Sequence, residues 1–258
     1  MDLSKYRSSD REQARTESLM RLVPRGLQTV LDVGARDGFM SRALTAHFEQ
    51  VVALDLEKPQ FVIERVQAVK GDITALDFGD NSIDVVFCAE VLEHIPPVLL
   101  PKACRELARV ARVAVVVGVP FRQDLRVGRT RCARCGHVNP PWGHVNRFDD
   151  QRLVDLFRPL TAVETDFVWP TRQDRTNFVS AMLMSAAGFP WGTYDQEEPC
   201  TNCHSALARP GTRTTFQRAS ARLSALVDSA QRRFARLEPT WIHIRFDKAV
   251  RSAASNAA

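Results

Sequence analysis

The chain reads as an α/β protein: a Rossmann-like, seven-stranded, mostly parallel sheet with helices on both faces, plus a cysteine-containing insertion and a helical C-terminal tail. Three observations predict this. Between residues 29 and 119, short Val/Ile/Leu runs alternate with helical stretches, the rhythm of βαβ units. The runs are near-continuous rather than alternating, as expected for strands covered on both faces. A glycine-bearing turn, Gly34 to Gly38, joins the first run to a helix, where the backbone turns sharply and approaches a ligand closely. With 258 residues, 45% hydrophobic and 25% charged, the chain is long enough for one large domain and too apolar for wholesale disorder. The longest apolar stretch, 113–121, is about half of the roughly 20 residues a bilayer span requires. Residues 1–21 are too charged for a secretory signal, so a cytoplasmic protein with reduced thiols is expected.

Taken in order, residues 9–23 form an amphipathic helix that Ser9 caps, with Ala14, Leu19, Leu22 and Val23 on its apolar side. Strands follow at 29–33, 51–56, 66–70, 83–88 and 113–119, and helices at 40–48, 59–65 and 99–110. The cofactor-binding core and its N-terminal helix are thus 1–120. Residues 121–147, rich in Arg, Cys, Gly and Pro, are an insertion. Residues 148–187 close the core, with an antiparallel pair at 161–168 and 178–185. Residues 188–258 hold a second cysteine pair and a basic helical tail, its helix at 214–237.

The first strand ends in Asp32-Val33-Gly34-Ala35-Arg36-Asp37-Gly38, ahead of a helix N-terminus that favours electronegative groups. Asp55 ends the second strand, placed to hold two ribose hydroxyls. Asp72 and Ile73 follow the third, offering a carboxylate to an exocyclic amine and an apolar surface to a flat base. A dinucleotide fold would show the first two signals as well.

These segments (30–38, 52–56 and 71–73, with 82–95) resemble successive motifs of the class I S-adenosylmethionine-dependent methyltransferases over about residues 28–120. The resemblance implies that Asp32, Gly34, Ala35, Asp37 and Gly38 wrap the methionine part of the cofactor. It implies that Asp55 holds the ribose, that Asp72 and Ile73 frame the adenine, and that Leu56 and Ala89 complete the site. One residue departs: Arg36 stands where the family has glycine. Either its backbone tolerates the turn, or cofactor binding is weakened.

After the fourth strand comes Glu90-Val91-Leu92-Glu93-His94. On one helical turn Glu90, Glu93 and His94 would face the same way, and two carboxylates with an imidazole suit a divalent cation such as Mg2+ or Mn2+. The alternative is a cluster that caps a helix and pairs with arginines. Glu-x-x-Glu-His with a later histidine, His144, resembles the small-RNA 3′-terminal 2′-O-methyltransferases; its first part is similar to the ubiquinone-pathway O-methyltransferases. Carried over, Glu90, Glu93, His94 and His144 hold a metal. Without one, His144 or His94 serves as general base beside Glu90.

Cys132-x-x-Cys135-Gly136 and Cys200-x-x-Cys203 form two tight thiolate turns that together offer the four-sulfur set of structural Zn2+. Disulfide or redox chemistry is the competing reading. Cys88 and Cys104 read as packed hydrophobes. Residues 200–258 carry ten Lys or Arg against three acids. Such a tail attracts a phosphorylated substrate, a nucleic acid or an anionic membrane surface, or simply forms a solvated helix face. The expected activity is methyl transfer to a hydroxyl of a small molecule or glycan. RNA ribose methylation and a non-catalytic zinc-containing scaffold are the alternatives.

Overall fold

A computed structural model describes residues 7–249. In chain order it contains α1 (Asp10–Leu22), β1 (Thr29–Val33), α2 (Phe39–Leu44), β2 (Gln50–Asp55), β3 (Val66–Lys70) and β4 (Ile83–Ala89). A 3-10 turn (Leu92–His94), α3 (Leu100–Val110), β5 (Ala111–Pro120), β6 (Thr130–Arg131) and β7 (Val138–Asn139) come next. A second 3-10 turn (Pro141–Gly143), α4 (Asp150–Leu156), β8 (Thr161–Thr171), α5 (Phe178–Ala186), α6 (Thr215–Arg233) and β9 (Glu238–Asp247) complete it. The chain divides into two units: Met1–Pro120 with Phe148–Trp169 and Trp241–Ala258, and Phe121–Arg147 with Pro170–Thr240.

The first unit is built on a seven-stranded sheet of order β3-β2-β1-β4-β5-β9-β8. Strands β1 to β5 pair in parallel, and β9 runs antiparallel to β5. The continuous apolar runs are buried as expected: Val85, Val86, Phe87 and Cys88 have almost no exposed surface. One core cluster joins Leu19 and Leu22 of α1 to Val30, Val51, Val85, Phe87 and Val116 of the sheet. Burial of each such side chain contributes about 1.5–3 kcal/mol before entropy is counted. The helix α3 turns Leu100, Ala103, Cys104, Leu107 and Val110 inward at intervals of three and four, the helical period.

Four sequence expectations are corrected. The helix expected at 40–48 stops at Leu44. No helix forms at 59–65: Arg65 takes a left-handed φ of 63°, and Phe61 lies against the Gly38 turn. Residues 178–185 are helix, not strand. Asn177 and Ser180 form a reciprocal capping box, with Ser180 N–H donating to Asn177 Oδ1 at 3.0 Å and Asn177 N–H to Ser180 Oγ at 3.1 Å. The tail is not helical throughout either, because Glu238–Asp247 forms β9, between β5 and β8.

In the second unit β6 and β7 form a short antiparallel hairpin. Helices α5 and α6 pack through small buried residues (Ser180, Ser220, Ala221 and Ser224), with Ser224 Oγ donating to Ser180 O at 2.9 Å.

Candidate functional site

The sheet order reverses between β1 and β4, and in open α/β sheets the crevice at such a point, beyond the carboxyl ends of the strands, receives the ligand. The turn leaving β1 is held in an unusual backbone shape. Gly34, Arg36 and Gly38 have φ of 79°, 46° and 78°. Glycine takes these angles freely; a side chain at Gly34 would overlap Val91, and one at Gly38 would come within 2.7 Å of the Phe61 ring. Arg36 adopts the glycine-type angle despite its Cβ. Its N–H donates to Asp55 Oδ2 at 2.9 Å, so the acid that ends β2 also stabilises the turn after β1. Asp55 Oδ1 accepts from Leu56 N–H at 2.7 Å. A carboxylate has about four acceptor positions, so two remain for a vicinal diol.

Around this turn, Asp32 is buried and accepts from Ser41 Oγ at 2.6 Å; burial pushes its pKa up to about 7. Asp37 is 2.6 Å from Arg7, whose guanidinium lies 3.9 Å from the centre of the Phe39 ring. Ala35 is buried, and its N–H, like that of Gly34, donates to Leu54 O. Asp72 is exposed, with its carboxylate held below the ordinary value by the Thr74 N–H at 2.7 Å, and Ile73 is buried beside it. Asp32, Gly34, Ala35, Asp37, Gly38, Asp55, Leu56, Asp72, Ile73 and Ala89 thus all lie at or just beyond the carboxyl ends of β1 to β4.

The Glu90–His94 element differs from the expected single helical turn. Glu90 sits before the 3-10 turn with a left-handed φ of 58°. Its Oε2 accepts from Trp241 Nε1 at 3.2 Å and lies 3.8 Å from Arg15. Burial raises the Glu90 pKa and the Arg15 charge opposes that rise. Arg15 is itself paired with buried Glu12 at 2.7 Å. Glu93 is fully buried, and neither carboxylate oxygen has a hydrogen-bond partner among the described residues. Burial, then the Glu90 charge, push it well above the usual carboxylate range. Ligand atoms of Glu93 and His94 lie within 4.8 Å of one another. His144 belongs to the second unit, at the end of the Pro141–Gly143 turn, with Nδ1 2.6 Å from Gln123 Oε1. The sequence reading missed Glu12, Arg15 and Trp241. No local signal links them to Glu90, since they are distant in sequence.

The second unit contains the four-cysteine cluster. The Sγ atoms of Cys132, Cys135, Cys200 and Cys203 lie within 4.8 Å of one another, with Cys132–Cys203 and Cys135–Cys200 both at 3.6 Å. That spacing is far beyond a disulfide bond and close to the roughly 3.8 Å edge of a tetrahedron with 2.3 Å metal–sulfur bonds. The two turns are built alike. Gly136 (φ 73°) and His204 (φ 54°) follow the second cysteine of each pair and donate to Cys132 O and Cys200 O, both at 2.9 Å. Cys132 N–H and Cys200 N–H close the turns on His137 O and Ser205 O. The Ser205 donors draw Cys203 down to about 6, toward thiolate. Asn139 Oδ1 ties the turns together, accepting from Thr201 N–H at 2.9 Å and from its hydroxyl at 3.0 Å. Four soft donors in this geometry fit zinc.

The fold is an open α/β sheet with a ligand crevice where its strand order reverses, and part of the chain is similar to known proteins. Residues 31–116, a third of the chain, match the family model described as a methyltransferase domain. The ubiquinone biosynthesis O-methyltransferase of Idiomarina loihiensis is 35% identical over 86 residues, covering 29% of this chain and 35% of that protein. The chain therefore spans about a third of the length of that curated relative. An uncharacterized methyltransferase of Mycobacterium tuberculosis is 27% identical over 206 residues, 74% of this chain and 81% of that one. Among solved structures, an S-adenosylmethionine-dependent methyltransferase from Archaeoglobus fulgidus matches with TM-score 0.57 at 14% identity, covering 95% of this chain and 97% of that one. The N-methyltransferase NodS of Bradyrhizobium japonicum, in complex with S-adenosyl-L-homocysteine, matches with TM-score 0.50 at 18% identity over 66% of this chain and 85% of that one. No helix among the described residues is long and apolar enough to cross a membrane.

Proposed function

We propose that the protein is an S-adenosylmethionine-dependent methyltransferase acting on a hydroxyl of a small molecule or glycan, with a structural zinc in its second unit. The observation that carries this reading is the β1 turn. Three left-handed residues, an N–H locked onto Asp55, and the acid Asp72 after β3 gather beyond the carboxyl ends of β1 to β3, beside the reversal of the sheet. A side chain on Gly34 would run into Val91 and one on Gly38 into Phe61, so the turn requires glycine at both, and the acids beside it offer acceptors that suit a ribose diol and an adenine amine. When bound, S-adenosylmethionine supplies an electrophilic methyl group on a sulfonium.

The chain's own residues do the rest. Asp55 accepts from the ribose hydroxyls, and Asp72 accepts from the exocyclic amine while Ile73 packs against the base. Asp32 and Ser41 hold the turn from behind. The acceptor hydroxyl loses its proton to His94, the candidate base of the first unit. Glu90, anchored by Trp241 and facing Arg15, orients the acceptor. Cys132, Cys135, Cys200 and Cys203 would hold a zinc ion with four thiolates, a donor set that suits a structural role.

A divalent cation at the Glu93–His94 element is a second reading. What favours it is the Glu93 carboxylate, buried with both oxygens unpartnered beside an imidazole. It does not extend to Glu90 without breaking the contacts to Trp241 and Arg15. The test is titration calorimetry with S-adenosylmethionine, followed by turnover of Glu90→Gln and His94→Gln. Cofactor binding that survives in both variants while turnover is lost supports the reading. Absence of cofactor binding in the parent chain overturns it, and turnover indifferent to EDTA removes the divalent cation.

A further inference from the structure

The second unit contains an open cavity of about 610 Å³, lined by α5, α6 and the segments 126–129, 173–176 and 189–192. This volume lies in the range of small-molecule sites, roughly 300–1,000 Å³. Nothing in the transferase reading uses it. Its lining combines three features that surface depressions rarely share.

The first is aromatic: buried Phe189 and half-exposed Trp191 line the wall with Met184 from α5, and Phe234 borders it largely exposed. The second is an excess of cationic groups. Of five lining arginines, three are ion-paired: Arg126 with Asp124, Arg175 with Glu238, and Arg232 with Asp174. The other two are not. Arg129 donates only its Nε, to Leu125 O, and Arg236 has no hydrogen-bond or ion-pair partner among the described residues. The third is an acceptor in want of a donor. Asp228 projects from α6, and its Oδ1 is buried with no hydrogen-bond partner among the described residues. An unpartnered buried oxygen is costly, and a ligand hydroxyl or amine would recover that cost.

We propose that this cavity binds a flat aromatic acid bearing a hydroxyl or amine. The ring system packs on Phe189 and Trp191, the anionic group meets Arg129 and Arg236, and the donor meets Asp228. The volume exceeds that of a single ring, so a two-ring acid fits it better. Arginine suits this task because its planar fork matches a carboxylate in a bidentate manner. The proposal concerns binding within one unit and does not depend on the methyl-transfer reading.

The test is titration calorimetry on the full, zinc-loaded chain without S-adenosylmethionine, using three probes: 6-hydroxy-2-naphthoate, its primary amide, and 2-naphthoate. The hydroxy acid is expected to bind, with the amide weaker by about tenfold and 2-naphthoate weaker by a smaller factor. Ala225→Phe, which fills the cavity from α6, is expected to abolish binding while helix content by circular dichroism is kept. The double variant Arg129→Gln, Arg236→Gln is expected to lose the preference for acid over amide. Asp228→Asn is expected to lose the preference for the hydroxy acid over 2-naphthoate. No heat from any probe at millimolar concentration overturns the site, as does undiminished binding to Ala225→Phe. Equal affinity of the parent chain for acid and amide overturns the anionic assignment.

Discussion

Arg36 keeps the shape of a glycine turn without being glycine. A left-handed φ costs a residue with a Cβ about 1 kcal/mol, and the N–H bond to Asp55 is the compensation on view. Arg36→Gly is therefore expected to raise stability by about 1 kcal/mol, read as a small rise in melting temperature. Asp55→Ala removes both the diol acceptor and the lock on Arg36. Affinity for S-adenosylmethionine is expected to fall at least about tenfold, measured by calorimetry.

Asp32 carries a pH signature. Its pKa is near 7 in the fold against 3.8 in an unfolded chain, because it is buried. Below about pH 4 both states hold the proton. Between pH 4 and 7 only the folded state keeps it, so stability falls as pH rises through that window. Asp32→Asn removes this slope, so the melting temperature of the variant relative to the parent is expected to climb from pH 4 to 7 and then level off. A flat difference would place the proton elsewhere.

At the scale of elements, the strands at 29–33 and 66–70 and the helix α1 were legible in the sequence, because a buried strand or an amphipathic helix leaves a local pattern. The segment 178–185 was not. Phe-Val-Ser-Ala-Met-Leu-Met-Ser is apolar enough for either state, and the capping pair Asn177 and Ser180 decides it. Asn177→Ala is expected to cost about 1 kcal/mol, with helix loss confined to α5, read by hydrogen exchange. The β9 run 240–246, Thr-Trp-Ile-His-Ile-Arg-Phe, carries the β-branched and aromatic residues of a strand. The length of basic helix before it masked that signal.

Across the whole molecule, the two units differ in what stabilises them. The first has a continuous Val/Leu/Phe core. The second buries fewer large apolar side chains and gathers four thiols instead. Chelation of zinc, or Cys200→Ser, is expected to abolish hydrogen-exchange protection around β6, β7 and residues 200–205 while leaving the β1–β5 amides protected. Metal analysis is expected to find one zinc per chain in the parent and none in the variant.

Some properties followed from the sequence alone: the parallel sheet, the glycine turn with its two following acids, and the paired cysteine turns. Each is written in residues close together along the chain, where local backbone preference and spacing suffice. The tertiary structure decided the rest: that Glu90 leaves the helical turn to face Arg15 and Trp241, that Glu93 is buried without a partner, and that β9 enters the sheet beside β5. Those outcomes depend on groups many positions apart, and burial and charge compensation are set only when the folded chain brings such groups together.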